Sequence, residues 1–160
     1  MSLSLRRAGD RDMAQVHALL TEMAAEMGRR IGSDAEALRR HGLGEEARFR
    51  AVLAEEAGEA CGVILVFPEF SSWRGEVGLF VQDLFVRKAA RGRGIAGHLL
   101  AGALAETRDW EPSYVSLMVD HRNASAQDWY RRRGFTLRER GDLLVADGAA
   151  FGKLQAVRDR

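Results

Sequence analysis

The sequence holds one cysteine, Cys61, in 160 residues, which excludes an internal disulfide. Cytoplasmic residence is the matching expectation. No apolar run approaches the ~18 residues of a membrane span, and Met1-Ser2-Leu3-Ser4-Leu5-Arg6 has no apolar signal core. No membrane association is expected. Charge of one sign is also missing: 24 Lys+Arg against 23 Asp+Glu give a net charge of +1. A general nucleic-acid binder is strongly basic, so nucleic acid is not an expected partner. The four histidines (His17, His41, His98 and His121) lack metal-ligand spacing, and no metal is expected. Repeats, low-complexity tracts and linkers are absent. With 46% hydrophobic and 29% charged residues, the chain suits one globular domain over 1–160 with one core.

Against those absences stands an alternation of strand-like and helix-like segments. Ser2–Arg7 reads as a short strand. Asp10 or Asp12 caps a helix over about 11–28, whose Met13, Val16, Leu20, Met23 and Met27 share one face. Gly28 stops it. Ser33 with Glu36 three residues on forms a capping box for a second helix to about Leu43. Phe49–Ala54 and Ala60–Phe67 read as strands, with Pro68 ending or bulging the second. A hairpin turn at 71–75 leads to a long strand over 76–86. A helix over about 93–106, a strand at Tyr114–Val119 and a helix over about 124–133 follow. Gly134 closes that helix, and strands near Phe135–Arg140 and Leu143–Ala146 complete the sheet. The last ten residues give no clear pattern. The order is that of an α/β (α+β) sandwich, a mixed, mostly antiparallel sheet flanked by about four helices.

The most informative stretch is Arg91-Gly92-Arg93-Gly94-Ile95-Ala96, followed by Gly97. It joins a strand to a helix through a glycine-rich turn. Glycine lets backbone approach an anion and take positive φ without a Cβ clash. The first helical turn adds unpaired N–H donors and the positive end of the helix dipole. Two arginines add charge. The chemistry that fits is a phosphorylated ligand, and the alternative is a solvated Arg-Gly turn.

Arg91, Gly94 and Ala96 fit the pattern Arg/Gln-x-x-Gly-x-Gly/Ala. Further on, Asn123, Ala126, Tyr130 and Gly134-Phe135 follow another strand-like segment, and Asp83-Leu84-Phe85-Val86 precedes the loop. Together these resemble the signatures of the GNAT superfamily of N-acetyltransferases, over roughly Gly78 to Phe135. The resemblance implies a GNAT sandwich that uses acetyl-CoA as co-substrate. The main chain of Leu84, Phe85 and Val86 would bond the pantetheine arm. Arg91, Gly92, Arg93, Gly94, Ile95, Ala96 and Gly97 would cradle the pyrophosphate. Asn123 and Ala126 would sit near the cofactor arm. Tyr130 would donate a proton to the departing thiolate; read from the residues alone, it is a packed helix aromatic. Homodimers are common in this superfamily, so a homodimer is expected.

The stretch from Trp73-Arg74-Gly75 to Val86 is most similar to the diamine and polyamine acetyltransferases. That branch carries Glu-Asp where this chain has Gln82-Asp83. Gln82 cannot accept a proton at neutral pH, but it can orient a water or hydrogen-bond the amine. Asp83 is then the base or amine anchor, or else a structural carboxylate. The branch's Tyr-Glu pair at the end of the first helix is Glu26-Met27 here, which makes Glu26 a substrate-binding candidate. His121 is a second candidate base. Cys61 reads as core, Arg131-Arg132-Arg133 as a solvated helix end, and Phe70 and Trp73 as acceptor pocket, dimer interface or plain surface. The expected activity is direct acetyl transfer to a primary amine of a small molecule such as a diamine, polyamine or amino-acid analogue. A peptide acceptor or a non-catalytic acyl-CoA-binding module are the alternatives.

Overall fold

The computed structural model describes residues 3–138 and 146–155. The chain forms two compact units, Met1–Met118 and Val119–Arg160. The first unit carries a five-stranded sheet: β1 (Leu3–Arg7), β2 (Arg50–Glu56), β3 (Glu59–Ser71), β4 (Glu76–Val86) and β5 (Tyr114–Leu117). The strands lie side by side in chain order. The first three pairings are antiparallel, and β4 with β5 is parallel. Helices α1 (Met13–Glu26), α2 (Ala35–Gly42) and α3 (Ile95–Glu106) belong to the same unit. The second unit holds α4 (Ala124–Arg131) and α5 (Gly148–Gln155). The expected mixed, mostly antiparallel sandwich is present.

Strand alternation makes two cores. Val63 and Leu65 of β3 pack with Met13, Val16, Leu19 and Leu20 of α1 and Leu38 of α2. Ile64 and Val66 turn the other way, onto Ile95, Leu99 and Ala103 of α3. Val16, Leu19, Ile64 and Leu99 are wholly buried. Each such side chain contributes ~1.5–3 kcal/mol by leaving water.

The β2–β3 hairpin closes through Ala57 and Gly58, both at positive φ (51° and 83°), between the paired Glu56 and Glu59. Two left-handed residues in succession give a turn whose twist matches the strands. Pro68 neither ends β3 nor bulges it; it pairs with Leu79. Pairing of β3 with β2 runs only as far as Val66, opposite Arg50, so β3 has an open edge at residue 68, where a missing N–H is tolerated. The bulge lies elsewhere. Leu65 faces Asp83 while Val66 faces Val81, so Gln82 is an extra residue in β4.

Helix starts also differ from expectation. Asp12 does not cap from the N-cap position. Its carboxylate reaches back to the Gly9 N–H (2.7 Å) and pairs with Arg6 (2.7 and 2.8 Å). Hydrogen bonding to that guanidinium holds the Asp12 carboxyl below the usual carboxylate range. For α2 the cap is Asp34, not Ser33: its Oδ1 accepts from Ala37 N at 2.7 Å. Asp34 is extended (φ −125°, ψ 176°), the conformation a capping side chain needs. The strand expected to reach Val119 stops at Leu117. Residues 135–138 are coil, and the rest of the strands expected at Phe135–Arg140 and Leu143–Ala146 falls largely on residues 139–145, outside the described residues.

Asp34→Ala is expected to lower unfolding free energy by about 1 kcal/mol, while Ser33→Ala leaves it near the wild-type value. Urea unfolding of both variants checks this, and equal losses would return the cap to Ser33.

Candidate active site

The expected cofactor residues of the first unit lie along one edge. β5 pairs with β4 only from Gly78↔Tyr114 to Val81↔Leu117. Beyond Val81, Gln82 to Val86 have β3 on one side and no β5 partner on the other. Leu84, Phe85 and Val86 therefore present an open main-chain edge while Phe85 and Val86 bury their side chains. The Val86 carbonyl already accepts from Arg91 Nε at 2.8 Å.

The strand then runs into the glycine loop. Gly92 and Gly94 both take φ 78°, and Gly94 is the N-cap of α3 with no side chain to offer. Among the described residues no acceptor is bonded to the N–H groups of Gly92, Arg93, Gly94, Ile95 and Ala96; the first pairings are Gly97 N and His98 N, both to Gly94 O (3.0 and 3.2 Å). Five successive donors, ending in the first turn of a helix, make an anion cradle. A Cβ at Gly92 would meet nothing within 4 Å, so glycine is there for its φ rather than for space.

The arginines of this region are each tied to a carboxylate. Arg87 holds Glu22 with Nε and Nη2 (2.9 and 2.7 Å) and also donates to Ala60 O (2.8 Å). Arg91 pairs with Glu26 at 2.6 Å, and Arg93 pairs with Glu56. Glu22 and Glu26 sit one turn apart on α1. Glu26, expected at the acceptor, is thus found at the phosphate-loop arginine. Sequence reasoning missed Glu22 and Glu56 because their partners stand 65 and 37 residues away.

Asp83 and Gln82 divide at the bulge. Gln82 is exposed and Asp83 half-buried. Burial pushes the Asp83 carboxyl above its ordinary pKa. No donor among the described residues bonds to it. Cys61 is buried, donates to Ala54 O at 3.4 Å, and has its thiol pKa raised by burial, so it is an inert core thiol. Among the described residues no group of three or more His, Cys, Asp or Glu could hold a metal, and no helix is long and apolar enough to cross a membrane.

The second unit gives the other motif a local physical meaning. Asn123 caps α4, its Oδ1 accepting from Ala126 N at 3.1 Å. The Asn-to-Ala spacing is thus the spacing of an N-cap and its third residue. At the other end Gly134 (φ 85°) donates to Arg131 O (3.0 Å), and Phe135 N donates to Tyr130 O (3.2 Å). That is a Schellman motif, completed by the Phe135 ring against Tyr130 at 5.2 Å, 65°. Trp129 meets Tyr130 edge-on at 5.0 Å. Gly134-Phe135 therefore fixes how Tyr130 is held. Burial raises the Tyr130 phenol pKa, keeping it a neutral donor. His121 is exposed.

A family model described as an acetyltransferase (GNAT) domain matches residues 47–137, more than half of the chain. The chain belongs to the GNAT acetyltransferases. GNAT enzymes use acetyl-CoA as co-substrate, and this GNAT protein is an acetyl-CoA-dependent N-acetyltransferase. It is 27% identical over 154 residues to a thialysine N-epsilon-acetyltransferase of Bos taurus, covering 90% of this chain and 87% of that protein. It is also 27% identical over 157 residues to that of Sus scrofa, covering 92% and 89%. Its fold is similar to an integron cassette protein from the mobile metagenome of V. cholerae. That match has TM-score 0.78 and 18% identity, over 97% of this chain and 98% of that one.

Gly94→Val would force a branched residue into the left-handed region and crowd the cradle. The expected result is at least a ten-fold loss of coenzyme A affinity by calorimetry, with the protein still folded. Unchanged affinity would remove the loop from the binding site.

Proposed function

We propose that this GNAT enzyme transfers the acetyl group of acetyl-CoA directly to a primary amine of a small molecule, within one catalytic domain over 1–160. The observation that carries the reading is the run of unpaired N–H groups from Gly92 to Ala96, beside the open edge of β4. A pyrophosphate fits such a row of donors, and a pantetheine amide fits such an edge. The activity for which the two thialysine relatives are named, in proteins similar over nearly the whole chain, favours a side-chain amine as acceptor. A single, buried, unpaired Cys61 fits cytoplasmic residence, and the exposed Phe70 and Trp73 offer a surface for a homodimer.

Acetyl-CoA supplies the acyl group already activated as a thioester. The chain's own groups manage protons. An amine arrives as ammonium and attacks only after losing one. Asp83 accepts it, directly or through a water, and a carboxyl with raised pKa is a stronger base than an ordinary aspartate. Gln82 hydrogen-bonds the amine. As nitrogen bonds to the acetyl carbon and the carbon–sulfur bond breaks, Tyr130 gives its phenolic proton to sulfur. The nitrogen gives up its second proton to solvent as the amide forms, and solvent also restores Tyr130 and takes the Asp83 proton. Holding amine and thioester together supplies the larger part of the rate.

Thiol release from acetyl-CoA, measured against diamines, polyamines, lysine analogues and short peptides, tests the reading. Release that depends on a small amine is expected. Release with peptides alone would move the acceptor to protein, and none at all would favour a binding module. Tyr130→Phe is expected to lower kcat ~100-fold with little change in acetyl-CoA KM, and equal turnover would remove its acid role.

A further inference from the structure

Near the β3–β4 hairpin, the α1/α2 face of the sheet carries a half-buried polar row that the proposed mechanism leaves unused. Glu69 on β3 faces Gly78 on β4, which faces Tyr114 on β5. Tyr114 lies across Gly78: a Cβ there would stand 2.3 Å from the ring. Glycine at 78 therefore lets the phenol reach over β4 toward β3. The Tyr114 hydroxyl is buried beside the Glu69 carboxylate, without a hydrogen bond of normal geometry among the described residues. Glu69 accepts from Ser116 Oγ at 2.6 Å, which uses one of its lone pairs and leaves others free. Arg74 lies over the Tyr114 ring at 4.5 Å, and Phe67 stacks on Phe80 at 4.8 Å next along the face. A half-buried carboxylate with lone pairs to spare, beside a phenol, is a ready acceptor for a ligand's N–H groups.

The row shares its face with Asp83. Asp83 faces Leu65, four residues from Glu69 along β3, or about 13 Å at ordinary strand rise. An extended chain of four or five atoms between two ammonium groups spans roughly 6–7 Å by ordinary bond lengths, which with a contact at each end fits the gap.

We infer that Glu69 and Tyr114 bind a second, non-reacting ammonium group of the acceptor. Arg74 takes the carboxylate beside it, so the acceptor is an α-amino acid whose side-chain amine is acetylated next to Asp83. This deepens the amine-acetylation reading and rests on it. Opposite charges flanking one phenol match a zwitterion, whereas a bare polyamine would leave Arg74 facing a like charge.

The test is thiol-release kinetics with thialysine, its decarboxylated diamine and a monoamine of equal length, on wild type, Glu69→Gln and Arg74→Met. Glu69→Gln is expected to raise KM at least ten-fold for thialysine and the diamine, with KM for the monoamine and acetyl-CoA unchanged. Arg74→Met should raise KM for thialysine alone. A Glu69→Gln effect equal on all three acceptors, or absent, overturns the subsite. An Arg74→Met variant that leaves thialysine unaffected overturns the amino-acid assignment. If wild type releases no thiol with any acceptor, acetyl transfer to amines is what fails. Calorimetry of thialysine with coenzyme A present then decides the subsite: binding heat lost in Glu69→Gln supports it, and equal heat refutes it.

Discussion

One extra residue in β4 governs the first unit. Strand side chains alternate, so Phe80 and Asp83, three positions apart, would face opposite sides of a regular strand. Gln82 stands between the pairs Leu65↔Asp83 and Val66↔Val81 and restores parity, so both sit on the α1/α2 face. Pairing with β5 also ends at Val81, next to the bulge. The same step in register thus turns a carboxylate onto the face proposed for the acceptor and leaves the following main chain open for a ligand. Tight packing on both sides of β3, through Val63 and Leu65 on one face and Ile64 and Val66 on the other, keeps the register from slipping.

The loop after β4 separates two tasks. Binding falls to backbone donors, held open by two glycines at φ 78°. Posture falls to the pairs Arg87–Glu22, Arg91–Glu26 and Arg93–Glu56, which tie the loop to α1 and β2. Exposed pairs of this kind contribute ~0–1 kcal/mol each, so their weight lies in where they hold the chain. Compensated arginines also explain how a phosphate site exists in a chain of net charge +1.

Local chemistry was legible in the sequence, and long-range chemistry was not. The glycine loop, most of the α1 face and the Gly134 stop are written in neighbouring residues and appear as expected; Met27, expected on that face, instead lies just past Glu26, where the helix ends, and is exposed. The α2 cap missed by one position because Ser33 and Asp34 are both good caps, and only backbone conformation chooses between them. Pro68 drew attention as a breaker, yet whether its missing N–H matters depends on β2 having already ended. The bulge at Gln82 is a relation between two strands, with no mark in either. Glu26 sat at the right helix end, but its partner Arg91 is 65 residues on. The Tyr114–Gly78–Glu69 row is likewise a product of register.

Asp83 is the residue on which the chemical account turns. The most direct measurement is the pH dependence of kcat/KM for the amine, in wild type and in Asp83→Asn. Burial raises the Asp83 pKa, so ionisation, and with it base function, is lost as pH falls through a value above the ordinary carboxylate range. The account predicts an acidic limb set by that raised pKa in wild type, and in Asp83→Asn a low rate from which that limb has gone. An unchanged profile in Asp83→Asn would contradict it.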